Sequence, residues 1–442
     1  MPKNRYKQLV DHFSSAIQRG ELRPGEQLPP LRRMMKERGI ALATAVRVYA
    51  ELEKSGLAVG EGGRGTFVRD ASLPRGLGLE QHPLPSGAVD LSFNYPSLPG
   101  QAEMLREGLR TLANSGDLDA LLHSAPQGGR PHERETVARH LRNRSIRVPG
   151  RQVLIVNGAQ QGLSVAVSAL LKPGDLLAAD ALTYPGLKAL AIASRLDLAA
   201  LPAAGGGMCL DSLEKLCMER PVRAVYAMPT MHNPLGWIMT DQDRLRLAAL
   251  AERFGFFIIE DGAYAFLAEP APKPVFTYAP ERTVYVSGLS KSVASGLRLG
   301  FVAAPEALIP ELEHAIRIST WNTPSMTVAL ACQWIESGLV DELEERKRAD
   351  AAARQRLARK ILDGAAVRSH PSSYFLWLEL PDYLRADVVA ADLQRSGVLV
   401  TTAEPFSIGL QSPQALRIAL GSISLEALEG ALRLVGKAVG LH

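Results

Sequence analysis

The chain has 442 residues, 46% of them hydrophobic and 22% charged, enough apolar material for two or three packed domains, which excludes a disordered chain. No run approaches the roughly 20 apolar residues of a membrane helix, and the polar start Met1-Pro2-Lys3-Asn4-Arg5 does not read as a signal peptide. The formal charge of +4 is unevenly placed: residues 1–70 hold 13 Lys/Arg against 8 Asp/Glu, and the rest of the chain holds 37 against 38. An anionic partner is therefore expected for the N-terminal piece alone.

In chain order, Leu9, Val10, Phe13 and Ile17 fall at helical spacing and end before Gly20 and the Leu22-Arg23-Pro24-Gly25 break. A second helix is predicted from near Pro30 to Gly39 and a third from about Ala41 to Lys54. Leu57–Val59 and Thr66–Val68, joined by Glu61-Gly62-Gly63-Arg64-Gly65, read as a hairpin. On a helical wheel of the third helix, Leu42, Ala45, Val46, Tyr49 and Leu52 share the expected packing arc. Thr44, Arg47, Val48 and Glu51 share the exposed one, a face suited to a major groove. Residues 71–88, rich in Pro and Gly, read as a linker.

From residue 89 to 442, short apolar strands alternate with helical stretches. Val153–Val156, Leu176–Ala179, Ala224–Met228, Phe256–Glu260 and Val284–Ser287 predict an α/β fold with a mostly parallel sheet. A smaller α+β C-terminal subdomain is expected from about residue 340, with strands near Tyr374–Leu380 and Leu416–Leu420. Three scattered cysteines, Cys209, Cys217 and Cys332, form no zinc-type ladder, so no metal is expected, and a reduced cytoplasmic setting is.

The run Gly20-Glu21-Leu22-Arg23-Pro24-Gly25-Glu26-Gln27-Leu28-Pro29, followed by Leu31-Arg32, resembles the GntR family of winged helix-turn-helix domains. The resemblance implies DNA contacts at Arg32, Thr44, Arg47, Arg64 and Gly65. One departure is the start of the third helix, Ala41-Leu42 where Ser and Arg are usual, which removes a cap worth about 1 kcal/mol.

In the body, Lys291 stands within Ser287-Gly288-Leu289-Ser290-Lys291 and Arg298 follows seven positions on. A lysine amine able to form an imine, beside hydroxyls and an arginine able to hold a phosphate, is what pyridoxal 5'-phosphate requires. It also requires an acid against its pyridine nitrogen, and Asp261 sits at the carboxyl end of a predicted strand. Asn233 and Tyr264 are placed to hydrogen-bond the ring's phenolic oxygen, and Tyr184 offers a flat ring for stacking. Asn157–Gly162 opens a helix after a strand, a phosphate-binding arrangement.

This constellation resembles the fold-type I aminotransferases over residues 89–440. The resemblance assigns Lys291 as the Schiff-base lysine and Asp261 to the pyridine nitrogen. Ala159, Gln160, Ser290 and Arg298 fall on phosphate positions, and Arg417 on the arginine that grips a substrate α-carboxylate. Two positions depart from the pattern. Gly288 replaces a Ser or Thr, leaving Ser287 or Ser290 to supply the hydroxyl. His123 stands where a tyrosine usually reaches the partner subunit's phosphate, and reads equally as a solvent-facing loop residue.

The two halves in this order resemble the MocR-type bacterial transcriptional regulators. That implies a homodimer binding operator DNA, with an amino acid, amine or vitamer sensed through aldimine chemistry and the linker passing the signal. An active aminotransferase carrying a DNA-binding domain is the alternative, since Lys291, Asp261 and Arg417 are all in place.

Overall fold

A computed structural model describes residues 5–61, 65–69, 87–115, 117–204, 207–409 and 412–441. The predicted linker lies almost wholly outside these residues, as does Arg64. The N-terminal unit comprises α1 (Arg5–Gln18), α2 (Leu31–Arg38) and α3 (Leu42–Lys54), followed by the antiparallel strands β1 (Ala58–Glu61) and β2 (Gly65–Val68). Helix α2 stops at Gly39, whose left-handed φ of 58° lets its N–H bond the Met35 carbonyl, the usual glycine close of a helix.

The unit's core corrects the predicted face of α3. Ala45, Val48, Tyr49 and Leu52 are buried, whereas Leu42 and Val46 are 53% and 48% exposed. The buried stripe follows the i, i+3, i+4, i+7 pattern from Ala45, so its centre lies about 50° from that of the predicted arc, on the side of Val48. Hydrophobicity alone misassigned those three positions.

The body is built on a seven-stranded sheet of β3 (Val153–Val156), β4 (Leu176–Asp180), β5 (Asp197–Leu201), β6 (Val222–Ala227), β7 (Phe257–Asp261), β8 (Thr283–Gly288) and β9 (Gly300–Ala303). Their order is β3-β9-β8-β7-β6-β4-β5. Strand β9 runs antiparallel to both neighbours and the other pairings are parallel. Strands β3, β4, β6, β7 and β8 are buried along nearly their whole length, as a sheet covered on both faces requires. Helices α4 (Ala159–Leu170) and α5 (Pro185–Ala193) begin at the carboxyl ends of β3 and β4. The long α6 (Leu339–Ile361) leads to a four-stranded sheet of β10 (Ala366–Arg368), β11 (Phe375–Glu379), β12 (Thr401–Thr402) and β13 (Ala415–Ala419), ordered β10-β11-β13-β12.

The N-terminal unit touches this small subdomain. Arg69 Nη2 lies 2.8 Å from Glu404 Oε2, and the Arg385 guanidinium stands 4.6 Å from the centre of the Phe67 ring. Among the described residues, no helix is long and apolar enough to cross a membrane.

Candidate functional site

The carboxyl ends of the parallel strands converge with β13 on a cavity of about 260 Å³. Ten of the body residues assigned from the sequence to cofactor or carboxylate binding line it: Ala159, Gln160, Tyr184, Asn233, Asp261, Tyr264, Ser290, Lys291, Arg298 and Arg417. Strand ends in an open α/β sheet are where such a convergence arises, because the loops there are free to vary while the strands fix their origins.

At the cavity's base, Asp261 closes β7. The Tyr226 hydroxyl donates to its Oδ2 at 2.8 Å and the Ala263 amide to its Oδ1 at 2.9 Å. Burial pushes the carboxyl's pKa up, while the Ala263 amide, the Tyr226 hydroxyl and the Lys291 charge act in the opposite direction. Such a carboxylate is suited to hold a protonated ring nitrogen. Lys291 follows β8 on a one-turn helix, Leu289–Ser292, and its Nζ donates to the Asn94 carbonyl at 2.5 Å. Asn94 Nδ2 in turn donates to the Tyr264 hydroxyl at 3.1 Å.

The far end is an anion cradle. Gly158, with φ 82°, caps α4 and frees its first N–H groups. A Cβ on Gly158 would meet the Arg298 guanidinium at 3.1–3.3 Å, and one on Gly300 would meet the Gly158 carbonyl carbon at 2.5 Å. Both glycines are therefore required for the arginine and strand β9 to approach the helix start. Gly288 is explained similarly: a Cβ there would stand 2.7 Å from the Leu299 carbonyl oxygen and 3.0 Å from Gly300 Cα. Of the two serines left to supply the hydroxyl, Ser287 Oγ is spent on the Gly262 carbonyl at 3.0 Å. Ser290 Oγ is buried without a partner and lines the cavity.

The remaining lining is poised for ligands. Gln160 Oε1, Asn94 Oδ1, Asn233 Oδ1 and Arg417 Nε are likewise buried and unpartnered, an expensive state unless a ligand completes it. Tyr184 folds its ring into the space that Gly186 leaves free; a Cβ on that glycine would meet Tyr184 Cε1 at 2.3 Å. Arg417, on β13, is buried, donates from Nη2 to the Ser92 carbonyl, and lies 5.3 Å from the centre of the Phe406 ring. Pyridoxal phosphate fits this donor set at each end: an anion cradle, a ring-nitrogen carboxylate, unpartnered groups at mid-ring and a lysine amine.

Phe406 belongs to a 3₁₀ turn, Glu404–Phe406, tied to the segment that carries Tyr184. The Thr183 amide donates to the Phe406 carbonyl at 2.8 Å. Lys188 Nζ donates to the carbonyls of Glu404 and Pro405 at 3.1 and 2.8 Å, and burial pushes its pKa down to about 8.

His123 ends the short helix Leu118–Leu122, is exposed, and bonds through Nδ1 to the Asp119 carbonyl oxygen at 2.8 Å; it does not line the cavity. The sequence reading missed Tyr226, Asn94 and Phe406. Asn94 had a faint local signal in Phe93-Asn94-Tyr95-Pro96, a polar residue between aromatics in a proline turn, whereas Tyr226 and Phe406 had none.

On the N-terminal unit, Arg32 is exposed on α2, and Thr44 is half-buried on α3. Arg47 is exposed, its guanidinium 4.1 Å from the centre of the Tyr6 ring. Gly65 opens β2 with φ 120°. Helix α3 begins at Ala41 with no side-chain cap bond.

A lysine loop, an acid at a strand end and a glycine-capped anion cradle on this sheet define a fold-type I aminotransferase body, here carried behind a winged helix-turn-helix. Residues 86–435 match the family described as aminotransferase class I and II, and residues 5–68 match bacterial regulatory proteins of the gntR family. The chain belongs to the class I and II aminotransferase family and, with its GntR module, has the make-up of the MocR-type transcriptional regulators.

It is 26% identical to the HTH-type transcriptional regulator YdeF of Bacillus subtilis, over 97% of this chain and 93% of that one. It is also 26% identical to the regulator TauR of Rhodobacter capsulatus, over 99% and 96%. Among solved structures, the kynurenine aminotransferase of Pyrococcus horikoshii superposes with a TM-score of 0.74 at 22% identity, covering 80% of this chain and 91% of its own. An archaeal alanine:glyoxylate aminotransferase gives 0.74 at 21%, covering 91% and 95%. These likenesses establish the fold.

Proposed function

We propose that residues 89–442 bind pyridoxal 5'-phosphate and sense an amino acid, amine or vitamer, and that residues 1–70 carry the result to operator DNA. The observation that carries this reading is Arg417: a buried guanidinium with an unpartnered Nε, in the same cavity as Lys291 and Asp261. Bound there, the cofactor would supply an aldehyde for imine exchange and a ring able to draw electrons from it. Ala159, Gln160, Ser290 and Arg298 would hold its phosphate, Asp261 its ring nitrogen, Asn233 and Tyr264 its phenolic oxygen, and Tyr184 its face. Lys291 would hold or release the proton at the imine nitrogen, and Arg417 would grip a ligand carboxylate through two parallel N–H bonds.

The Arg69–Glu404 contact supports a direct route to the DNA-binding unit in addition to the linker. The exposed face of α3 offers Arg47 for phosphates or guanine, and Leu42 and Val46 for thymine methyls. A homodimer is supported by exposed apolar side chains at Leu122 and Ile318, 84% and 69% accessible, with Leu118, Trp321 and Met326 also open. A cytoplasmic location follows from the DNA partner. The complete set Lys291, Asp261 and Arg417 also supports the second reading, slow transamination at the same site.

The deciding experiment measures operator affinity of the purified protein with and without pyridoxal phosphate and candidate amino acids, with absorbance recorded in parallel. A visible band together with a ligand-dependent change in DNA affinity is expected. A protein that turns over keto acid rapidly while its DNA affinity ignores the ligand would establish the enzyme reading instead.

A further inference from the structure

Helix α6 is crowded with charges, and most of them face water. Lys347 does not: it is fully buried. An ammonium group has three N–H donors, and each finds a backbone carbonyl, Val293 at 2.7 Å and Pro96 and Lys291 both at 2.9 Å. Burying a charge on carbonyls alone is costly, and an apolar side chain of similar length would avoid that cost. The information therefore lies in which carbonyls it holds.

Two belong to the end of the one-turn helix that carries Lys291. A helix of four residues is too short to stand unaided, and its last carbonyls have no partner within it. The third, at Pro96, lies two residues beyond Asn94, whose carbonyl receives Lys291 Nζ. One buried ammonium thus fixes both sides of the Lys291–Asn94 contact. We propose that Lys347 is the positioning residue for Lys291, setting the geometry and the charge environment of the nitrogen that would carry the cofactor. The two amines also stand close enough to interact: Lys347 is pushed down to about 7, first by burial and then by the charge of Lys291.

The inference rests on the reading that Lys291 binds pyridoxal phosphate, and the test separates the two. Full-length wild type, Lys347→Met, Lys347→Gln and Lys347→Arg are titrated with pyridoxal phosphate, and the visible band is followed against pH. Arg354→Met serves as the comparison. Arg354 is a buried cation on the same helix that holds the carbonyls of Leu420 and Ile423 and none in the turn that carries Lys291. Lys347→Met is expected to bind the cofactor about tenfold more weakly, from the Pro96 and Lys291 carbonyls left unsatisfied, the Val293 carbonyl keeping its Gln101 Nε2 donor. Its band should titrate at higher pH, because a like charge beside the imine nitrogen has been removed.

Lys347→Arg should bring the band pKa back, and Arg354→Met should lose thermal stability with affinity and band pKa unchanged. Folded Lys347→Met and Lys347→Gln proteins with wild-type affinity and band pKa would overturn the proposal. So would variants that fail to fold and are not recovered by added pyridoxal phosphate, since that marks a residue needed only for stability; recovery by the cofactor supports it. A wild-type protein that gives no band refutes the cofactor reading and leaves the role of Lys347 without an object.

Discussion

Consider Arg417 replaced by methionine, which keeps the length of the side chain and removes the charge. Without ligand, the guanidinium holds the Ser92 carbonyl through Nη2, leaves Nε unpartnered, and lies near the Phe406 ring. Burial pushes its pKa down, which means that the surroundings pay poorly for the charge. Its loss should therefore leave the melting temperature of the ligand-free protein unchanged or slightly raised, as when buried charges are exchanged for apolar groups of similar volume.

Ligand binding should behave oppositely. Truncating one partner of a buried, hydrogen-bonded charge pair costs about 2–5 kcal/mol, or roughly 30-fold to a few thousand-fold in affinity. The assay titrates an α-amino acid and its decarboxylated amine against the pyridoxal phosphate absorbance band, in wild type and in Arg417→Met. The amino acid response should weaken by at least about 30-fold, the amine response should be retained, and the band without ligand should be unaltered. An amine response that falls as far as the amino acid response would refute the carboxylate role. A variant with a wild-type amino acid response would do the same.

The other predictions concern the departures from pattern, the pH response and the two contacts of the DNA-binding unit. Gly288→Ser restores the usual hydroxyl but drives a Cβ against the Leu299 carbonyl and Gly300, so urea unfolding should show a loss of about 1–3 kcal/mol. His140 is buried; although Asp341 and Glu344 stand 3.9 and 4.0 Å away, burial and the Arg144 charge push it down to about 4. The unfolded chain therefore takes up this proton first, so the stability from neutral His140 is complete above about pH 6.5 and is lost as the pH falls towards 4. Between pH 6.5 and 5, wild type should lose about 1.5 kcal/mol more than His140→Met, measured by urea unfolding at both values. Arg47→Ala should weaken binding to sites selected from random duplexes by about 1–3 kcal/mol while affecting non-specific binding less; equal losses would make Arg47 a phosphate contact only. Glu404→Ala should leave the absorbance response intact and change the ligand effect on DNA affinity at most about fivefold, because a half-exposed ion pair contributes under about 1 kcal/mol.

Local pattern carried most of the body. Strands such as Val153–Val156 are apolar throughout because both faces are covered; Asp261 and Lys291 announce themselves at or just after strand ends and Arg417 within a strand, each in a recognisable run. The pattern failed where a contact joins residues far apart in the chain. Tyr226 meets Asp261 across neighbouring strands, and Lys347 meets Lys291 from a helix 56 positions on. Nothing in either local sequence distinguishes them from an ordinary core tyrosine or a solvated lysine. The facing of α3 failed for another reason: a small unit cannot bury every apolar side chain, so Leu42 and Val46 remain outside while Val48 goes in. Gly288 was legible only as a departure; its cause, the close approach of β9, is tertiary.

The placement of Phe406 and Glu404 bears on how such a site signals. Phe406 lies beside the Arg417 guanidinium, and Glu404, two residues earlier on the same 3₁₀ turn, meets Arg69 of the DNA-binding unit. Lys188 and the Thr183 amide hold that turn to the segment that carries Tyr184. A three-residue turn anchored this closely transmits displacement from one end to the other. On the proposed reading, a hydrogen bond from Arg417 to an arriving carboxylate brings about 1.5–3 kcal/mol, whereas the Arg69–Glu404 latch holds less than about 1 kcal/mol. The ligand's energy exceeds that of the latch, so part of it expressed as a preference for one turn position is enough to change the latched population. A ligand without a carboxylate has no such lever at Arg417 and must act through Lys291 alone, which makes the amino acid and its amine the most informative pair to compare on DNA.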